Sequence, residues 1–149
     1  MKDWGFRSIN RQYQMKDIED IFESDEFWSQ VQICDLCLKG LESCFDLYNW
    51  VLVTKGSRIS LSKKLKYLLN VPFFTKNWSR ISYYGLGHEE DKSIIRMLGR
   101  IQVDDNYSNL LKTDADLKIL LKNNIDTQYN TCRYSTDNLE NLYVVDNIA

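Results

Sequence analysis

One apolar stripe constrains the chain more than any other feature. Phe27, Val31, Cys34, Leu38, Leu41, Phe45, Tyr48 and Leu52 follow one another at spacings of 4, 3, 4, 3, 4, 3 and 4. That rhythm puts all eight on one face of an α-helix. Ser24 stands where an N-cap belongs, and Asp25 and Glu26 occupy the first turn, where the helix dipole favours carboxylates. Gly56, with Lys55 beside it, supplies a stop. The spacing predicts a long central helix over about 25–54. Gly40 in its middle costs about 1 kcal/mol relative to Ala and marks a kink or a split into two helices. Its flanking positions show no regular charge alternation, so a core helix is expected rather than a free coiled coil.

Shorter helical patterns follow. Ile18, Ile21 and Phe22 predict an N-terminal helix. Ser60 is placed to cap a helix carrying Leu61, Leu65, Leu68 and Leu69, closed by Asn70 and Pro72. Trp78 and Ile81 mark a further helix over 75–84. Ile94, Met97, Leu98 and Ile101 mark one over 89–102, with Glu89, Glu90 and Asp91 in its first turn. Asp114 is placed to cap another, carrying Leu117, Ile119, Leu120 and Leu121 and ending at Asn123-Asn124. The tail from Ser135 holds Leu139, Leu142 and Tyr143 at helical spacing, and its Val144-Val145 fits a strand equally well. The expected fold is all-α: one domain over 1–149, a compact bundle of about six or seven helices around the long one.

Length supports a single domain, since 149 residues can bury roughly two-thirds of their unfolded surface without a disulfide or metal staple. No run of about 18 apolar residues exists to span a membrane. The segment from Met1 to Arg7 lacks the apolar core of a secretory signal, and four cysteines without such a signal fit free thiols in a reducing cytoplasm. Alanine occurs only at 115 and 149 and proline only at 72, while Asn, Ile, Lys and Tyr abound. This is the signature of AT-rich coding, as in many phages, viruses and low-GC bacteria, and fits a phage, viral or mobile-element accessory protein.

Catalytic chemistry finds little to work with. His88 is the only histidine, so any Ser-His-Asp or Cys-His arrangement must use it. It lies in Gly85-Leu86-Gly87-His88-Glu89-Glu90-Asp91, where a surface position near a helix cap is expected. The same glycines resemble half of a phosphate loop, but the three acids after them would repel a phosphate. Cys34-Asp35-Leu36-Cys37 is a C-x-x-C, with Cys44 and Cys132 remaining. Cys34 falls on the apolar stripe, so core cysteine is expected rather than zinc. A redox pair would sit at a strand-to-helix turn in a βαβ pattern, which the periodicity does not show. Pairing of Cys132 with Cys44 under oxidation stays open. Asp104, Asp105, Asp114 and Asp116, with Lys118, loosely match a metal-dependent nuclease. That chemistry needs Asp116 and Lys118 on one strand face, whereas a helix turns them about 200° apart. No metal and no cofactor is expected.

Charge is the feature left over. From Leu47 to His88 there is no Asp or Glu, but Lys55, Arg58, Lys63, Lys64, Lys66, Lys76 and Arg80 give +7. The net charge of −2 therefore leaves −9 on the rest. Aromatic residues interleave the basic stretch. Trp50, Phe73 and Phe74 are assigned to the core, and Trp78 and Tyr83 to a surface. Three readings follow: a nucleic-acid site, a charge-complementary protein interface, or basic and acidic segments facing each other within the fold. Asn70-Val71-Pro72 between two short helices loosely suggests a helix-turn-helix, but proline fits that turn poorly. The leading expectation is a non-enzymatic regulator or inhibitor that binds a larger protein or nucleoprotein machine stoichiometrically. Its binding residues would be Arg58, Lys63, Lys64, Lys66, Lys76, Trp78, Arg80 and Tyr83. The alternative is a nucleic-acid-binding protein using the basic 55–80 segment.

Overall fold

The computed structural model describes residues 15–121 and 142–145. They divide between Glu90 and Asp91 into two compact units. The first contains helices α1 (Met15–Glu23), α2 (Asp25–Gln30) and α3 (Asp35–Cys44), then a 3-10 turn over Phe45–Leu47. Strand β1 (Trp50–Lys55) follows, then α4 (Arg58–Leu69), α5 (Pro72–Asn77), a 3-10 turn over Trp78–Arg80 and β2 (Ile81–Leu86). β1 and β2 pair in parallel, from Trp50 against Ile81 to Lys55 against Leu86, so α4 and α5 form the crossover that parallel strands require. The second unit contains a 3-10 turn over Lys92–Ile94, β3 (Ile101–Asp104), α6 (Tyr107–Lys112), β4 (Leu117–Leu121) and β5 (Leu142–Val145). Its strands are parallel in the order β3-β4-β5.

The fold is therefore mixed α/β with two parallel sheets, and the all-α helical bundle is overturned. The predicted helix over 25–54 is the clearest casualty. Its start is right: Ser24 caps α2, its hydroxyl accepting the Phe27 N–H at 3.0 Å. The helix then stops at Gln30, restarts at Asp35 and gives way to β1. The stripe runs on through the strand because Trp50-Val51-Leu52-Val53 is apolar at every position, and an unbroken apolar run satisfies a 3.6 period as readily as a 2.0 period. β-branched Val51, Val53 and Thr54 fit a pleated surface better than a helix. Gly56 ends a strand rather than a helix. A Cβ there would clash with the Ser60 hydroxyl, so glycine suits the tight turn from β1 into α4.

The same ambiguity hides β4, where Leu117, Ile119, Leu120 and Leu121 crowd one short run, whereas β3 is only four residues long and its Ile101 and Val103 are exposed. The predicted helix over 89–102 is a 3-10 turn, a loop and the start of β3. The one over 75–84 is the end of α5, a 3-10 turn and β2. α1 and α4 are where the periodicity places them, although Ser57 caps α4, accepting the Ser60 N–H at 3.1 Å. Pro72 opens α5 at its first turn, where a missing N–H costs nothing. In the tail, Leu142–Val145 is strand, while Asn123-Asn124 and 135–141 lie outside the described residues.

Each unit has its own core. In the first, Phe45, Val71, Phe73 and Phe74 are buried against Leu38, Leu41, Trp50, Tyr67, Leu68, Trp78 and Ile81. In the second, Tyr107, Leu110 and Leu120 are buried, with Leu142 against them. On the surface of this second unit Lys112 Nζ lies 2.6 Å from Asp91 Oδ2. That hydrogen bond, joined by the Ser93 N–H, holds the Asp91 carboxyl down at about 2.

Candidate functional site

The first unit carries an open cavity of about 460 Å³ between α3 and α5, within the size of known ligand pockets, roughly 300–1,000 Å³. α3 ends there with Glu42, and the 3-10 turn after it supplies Phe45 and Asp46. α5 contributes Pro72, Phe73, Lys76 and Asn77, and the next turn Arg80. The floor is aromatic. Phe45 meets Phe73 edge to face with centroids 5.2 Å apart and stacks on Trp50 at 5.7 Å. Trp50 Nε1 donates to the Phe45 carbonyl at 2.9 Å, which anchors the turn. Asn77 Nδ2 donates to the Phe73 carbonyl at 2.9 Å, so its side chain closes the end of α5.

The walls carry opposite charges. Arg80 Nη1 lies 2.8 Å from Asp46 Oδ1, and its guanidinium carbon sits 4.6 Å from the Phe45 ring centroid. The cation is thus held by a carboxylate and a ring face together. Glu42 on one wall and Lys76 on the other have no ion-pair partner among the described residues. The four charges sum to zero, so the groove has no net attraction for a polyanion.

The basic surface expected from sequence does not stay together. Arg58 is exposed at the start of α4, next to the C-terminal end of β1. Lys76 and Arg80 stand near the N-terminal end of β2. A six-residue strand separates those ends by about 20 Å. Lys63 pairs with Asp25 of α2. Lys64 Nζ donates to the Lys55 carbonyl at 2.9 Å and to Thr54 Oγ1 at 3.1 Å, and lies 5.4 Å from the Phe22 ring centroid. It ties the end of β1 to the crossover helix and does not project to a partner. Lys66 is exposed on the last turn of α4. Trp78 and Tyr83 are half-buried, with tilted rings 5.6 Å apart, and Trp78 packs on the core. Lys76 and Arg80 alone of these residues line the groove.

Comparison with known proteins returns no matching family model, no curated relative and no similar solved structure. The chemistry of the site must carry the functional reading by itself.

Tyr83 is instructive in that respect. Its hydroxyl is buried with no hydrogen-bond partner among the described residues, and burial pushes its pKa up. A buried hydroxyl left unpaired is costly. Tyr83→Phe is therefore expected to preserve stability or raise it by up to about 1 kcal/mol, read as an unchanged or higher urea midpoint. A loss above about 1 kcal/mol would show that the hydroxyl has a partner.

The acids weighed for a nuclease are committed elsewhere. Asp104 is buried, and its oxygens accept from Lys92 Nζ at 2.9 Å, the Asn106 N–H at 2.9 Å and Asn109 Nδ2 at 3.1 and 3.2 Å. Asp114 accepts the Met97 N–H at 2.6 Å and Asp116 the Gly99 N–H at 3.1 Å, at a glycine with φ of 74°. Lys118 lies on β4 and Asp116 in the bend just before it, so the helical objection no longer applies. Asp116 nevertheless serves as a loop staple, and no group of three His, Cys, Asp or Glu side chains is placed for a metal among the described residues. His88 is exposed, with Nε2 2.8 Å from Glu19 Oε1 of α1. The Gly87 N–H donates to Glu90 at 2.6 Å, where a phosphate loop would leave it open.

Sequence reasoning misses Glu42, Phe45 and Asp46 as site residues. Along the chain Glu42 and Asp46 count among the acidic flanks and Phe45 as one knob of a stripe. The available signal is the alternation of acid and aromatic at 42, 45 and 46, opposite Phe73, Lys76 and Arg80.

Proposed function

We propose that the chain is a small non-enzymatic binding protein, a regulator or inhibitor that acts stoichiometrically on a larger cytoplasmic protein through the α3–α5 groove. The observation that carries the reading is the neutral groove with an aromatic floor and with Glu42 and Lys76 on facing walls, neither in an ion pair among the described residues. Its fitting occupant is a protein segment that carries both charges, since Phe45 and Phe73 are buried beneath the rim and Arg80 covers the Phe45 ring. A basic residue would meet Glu42 and an acidic one Lys76. Rim charges of this kind select the partner. A phosphate backbone is a poorer fit, because Glu42 and Asp46 would repel it. No helix among the described residues is long and apolar enough to cross a membrane, in keeping with a partner met in solution.

The test is capture from source-cell lysate after nuclease treatment. The wild type is compared with Lys76→Glu and with the double variant Arg58→Glu/Lys66→Glu. Retention of a protein by the wild type and the double variant, with about tenfold weaker capture by Lys76→Glu, is the expected result. Equal capture by all three removes the groove. Recovery of nucleic acid, with loss of all partners on nuclease treatment, replaces this reading with nucleic-acid binding by the basic segment.

A further inference from the structure

Cys34-Asp35-Leu36-Cys37 does not sit in the middle of a buried helix. Cys34 is the N-cap of α3, with extended backbone at φ −71° and ψ 114°, and it is exposed. Its carbonyl accepts the Leu38 N–H at 2.9 Å, so the turn that follows is closed and helical. Cys37 lies in that first turn and is half-buried. Neither sulfur is in a disulfide among the described residues. Helix geometry sets residues three apart at about 5 Å between Cα atoms, inside the roughly 4.4–6.8 Å that a disulfide spans. One objection to a redox pair therefore falls: Cys34 is not a core residue but an exposed cap, although α3 follows helix α2 rather than a strand.

We propose that Cys34 and Cys37 are a redox-active dithiol that exchanges with low-molecular-weight or protein disulfides, Cys34 attacking and Cys37 resolving. The sulfur at the cap makes no regular capping hydrogen bond. It lies nonetheless within the influence of the Cys37 N–H, the Cys37 thiol and the Leu36 N–H, which together hold its pKa below the ordinary thiol value against desolvation and the Asp35 charge. Cys44 provides the contrast within the same helix. Its thiol donates to the Gly40 carbonyl at 3.1 Å, an ordinary structural contact within the helix. Cys132 lies outside the described residues.

The exchange balances without a cofactor. The Cys34 thiolate attacks one sulfur of a substrate disulfide. That S–S bond breaks, a mixed disulfide forms on Cys34, and the departing thiolate takes the proton that Cys34 gave up. Deprotonated Cys37 then attacks the Cys34 sulfur, expelling the second thiolate, which is protonated in turn. The dithiol is oxidised by two electrons and the substrate reduced to two thiols. Glu42 stands two turns further along α3, about 12 Å away, so this chemistry is independent of partner binding in the groove.

The experiment uses the reduced full chain and oxidised glutathione as the probe, with peptide mass spectrometry as the readout. Three results are expected. Iodoacetamide alkylates Cys34 several-fold faster than Cys44 at pH 7. Oxidised glutathione converts the wild type to a Cys34–Cys37 disulfide with no lasting adduct. Cys37→Ser instead traps glutathione on Cys34, and its alkylation profile moves to higher pH. Alkylation of Cys34 no faster than Cys44 would overturn the proposal. So would a glutathione adduct on the wild type as persistent as that on Cys37→Ser. The alkylation comparison is made on the wild type, so misfolding of the variant leaves the proposal open to refutation.

Discussion

Leu120→Ala should lower the stability of the second unit by about 2–5 kcal/mol, the range for truncating a fully buried leucine. Leu120 has no exposed surface and packs with Leu110, also fully buried, and with Tyr107 of α6. A small α/β unit has a whole margin of only about 5–15 kcal/mol to lose, so this single truncation brings it near unfolding. The neighbour makes the test specific. Leu121 is half-buried and, by strand alternation, points to the opposite face; Leu121→Ala is expected to cost much less. A helix over the same residues would bury Leu117, Leu120 and Leu121 on one broad face, and both truncations would then be severe. Urea midpoints at constant slope separate the two cases.

That contrast also shows what was legible in the sequence and what was not. Local punctuation was readable. Ser24, Asn70 and Pro72 mark boundaries that exist, because capping and the missing proline N–H act within one turn. Assignment of Trp50, Phe73 and Phe74 to the core was readable too, because large aromatics have few other places to go. Period was not readable wherever a strand is apolar on both faces, as in β1 and β4. A parallel strand buried on both sides has lost the alternation that would distinguish it from a helix. The site suffered from a different loss. Charge counted along the chain treats Lys63, Lys64, Lys76 and Arg80 alike. In the fold Asp25 takes the first, backbone and Thr54 oxygens take the second, and Asp46 takes the last. Which cations remain for a partner depends on tertiary pairing, and linear charge patterning contains no record of it.

The same pairing logic yields the second large effect. Lys92→Met should destabilise the second unit by about 3 kcal/mol, the low end for breaking a buried ion pair. The Asp104 side chain is 4% exposed and its partner Lys92 is 19% exposed. Removing the lysine leaves a carboxylate in the interior, beside the Asp105 carboxyl, with the Asn106 N–H and Asn109 Nδ2 still donating to it. The low end applies because those donors remain. Asp104→Asn is expected to cost less, since the stranded charge would then be Lys92, which can turn toward water. The double variant Lys92→Met/Asp104→Asn should be more stable than Lys92→Met alone, and the double-mutant cycle should return a coupling of about 1–3 kcal/mol. Added salt should leave that coupling nearly unchanged, because a desolvated pair is poorly screened. A coupling that vanished in high salt would mark Asp104 as a solvated surface acid, which is how the sequence alone presents it. Asp104 lies at the C-terminal end of β3, the end of a parallel sheet where α/β proteins usually hold their ligands. Here that end is filled by the protein's own lysine and asparagines. The pair thus commits Asp104 to internal partners at that end of the sheet.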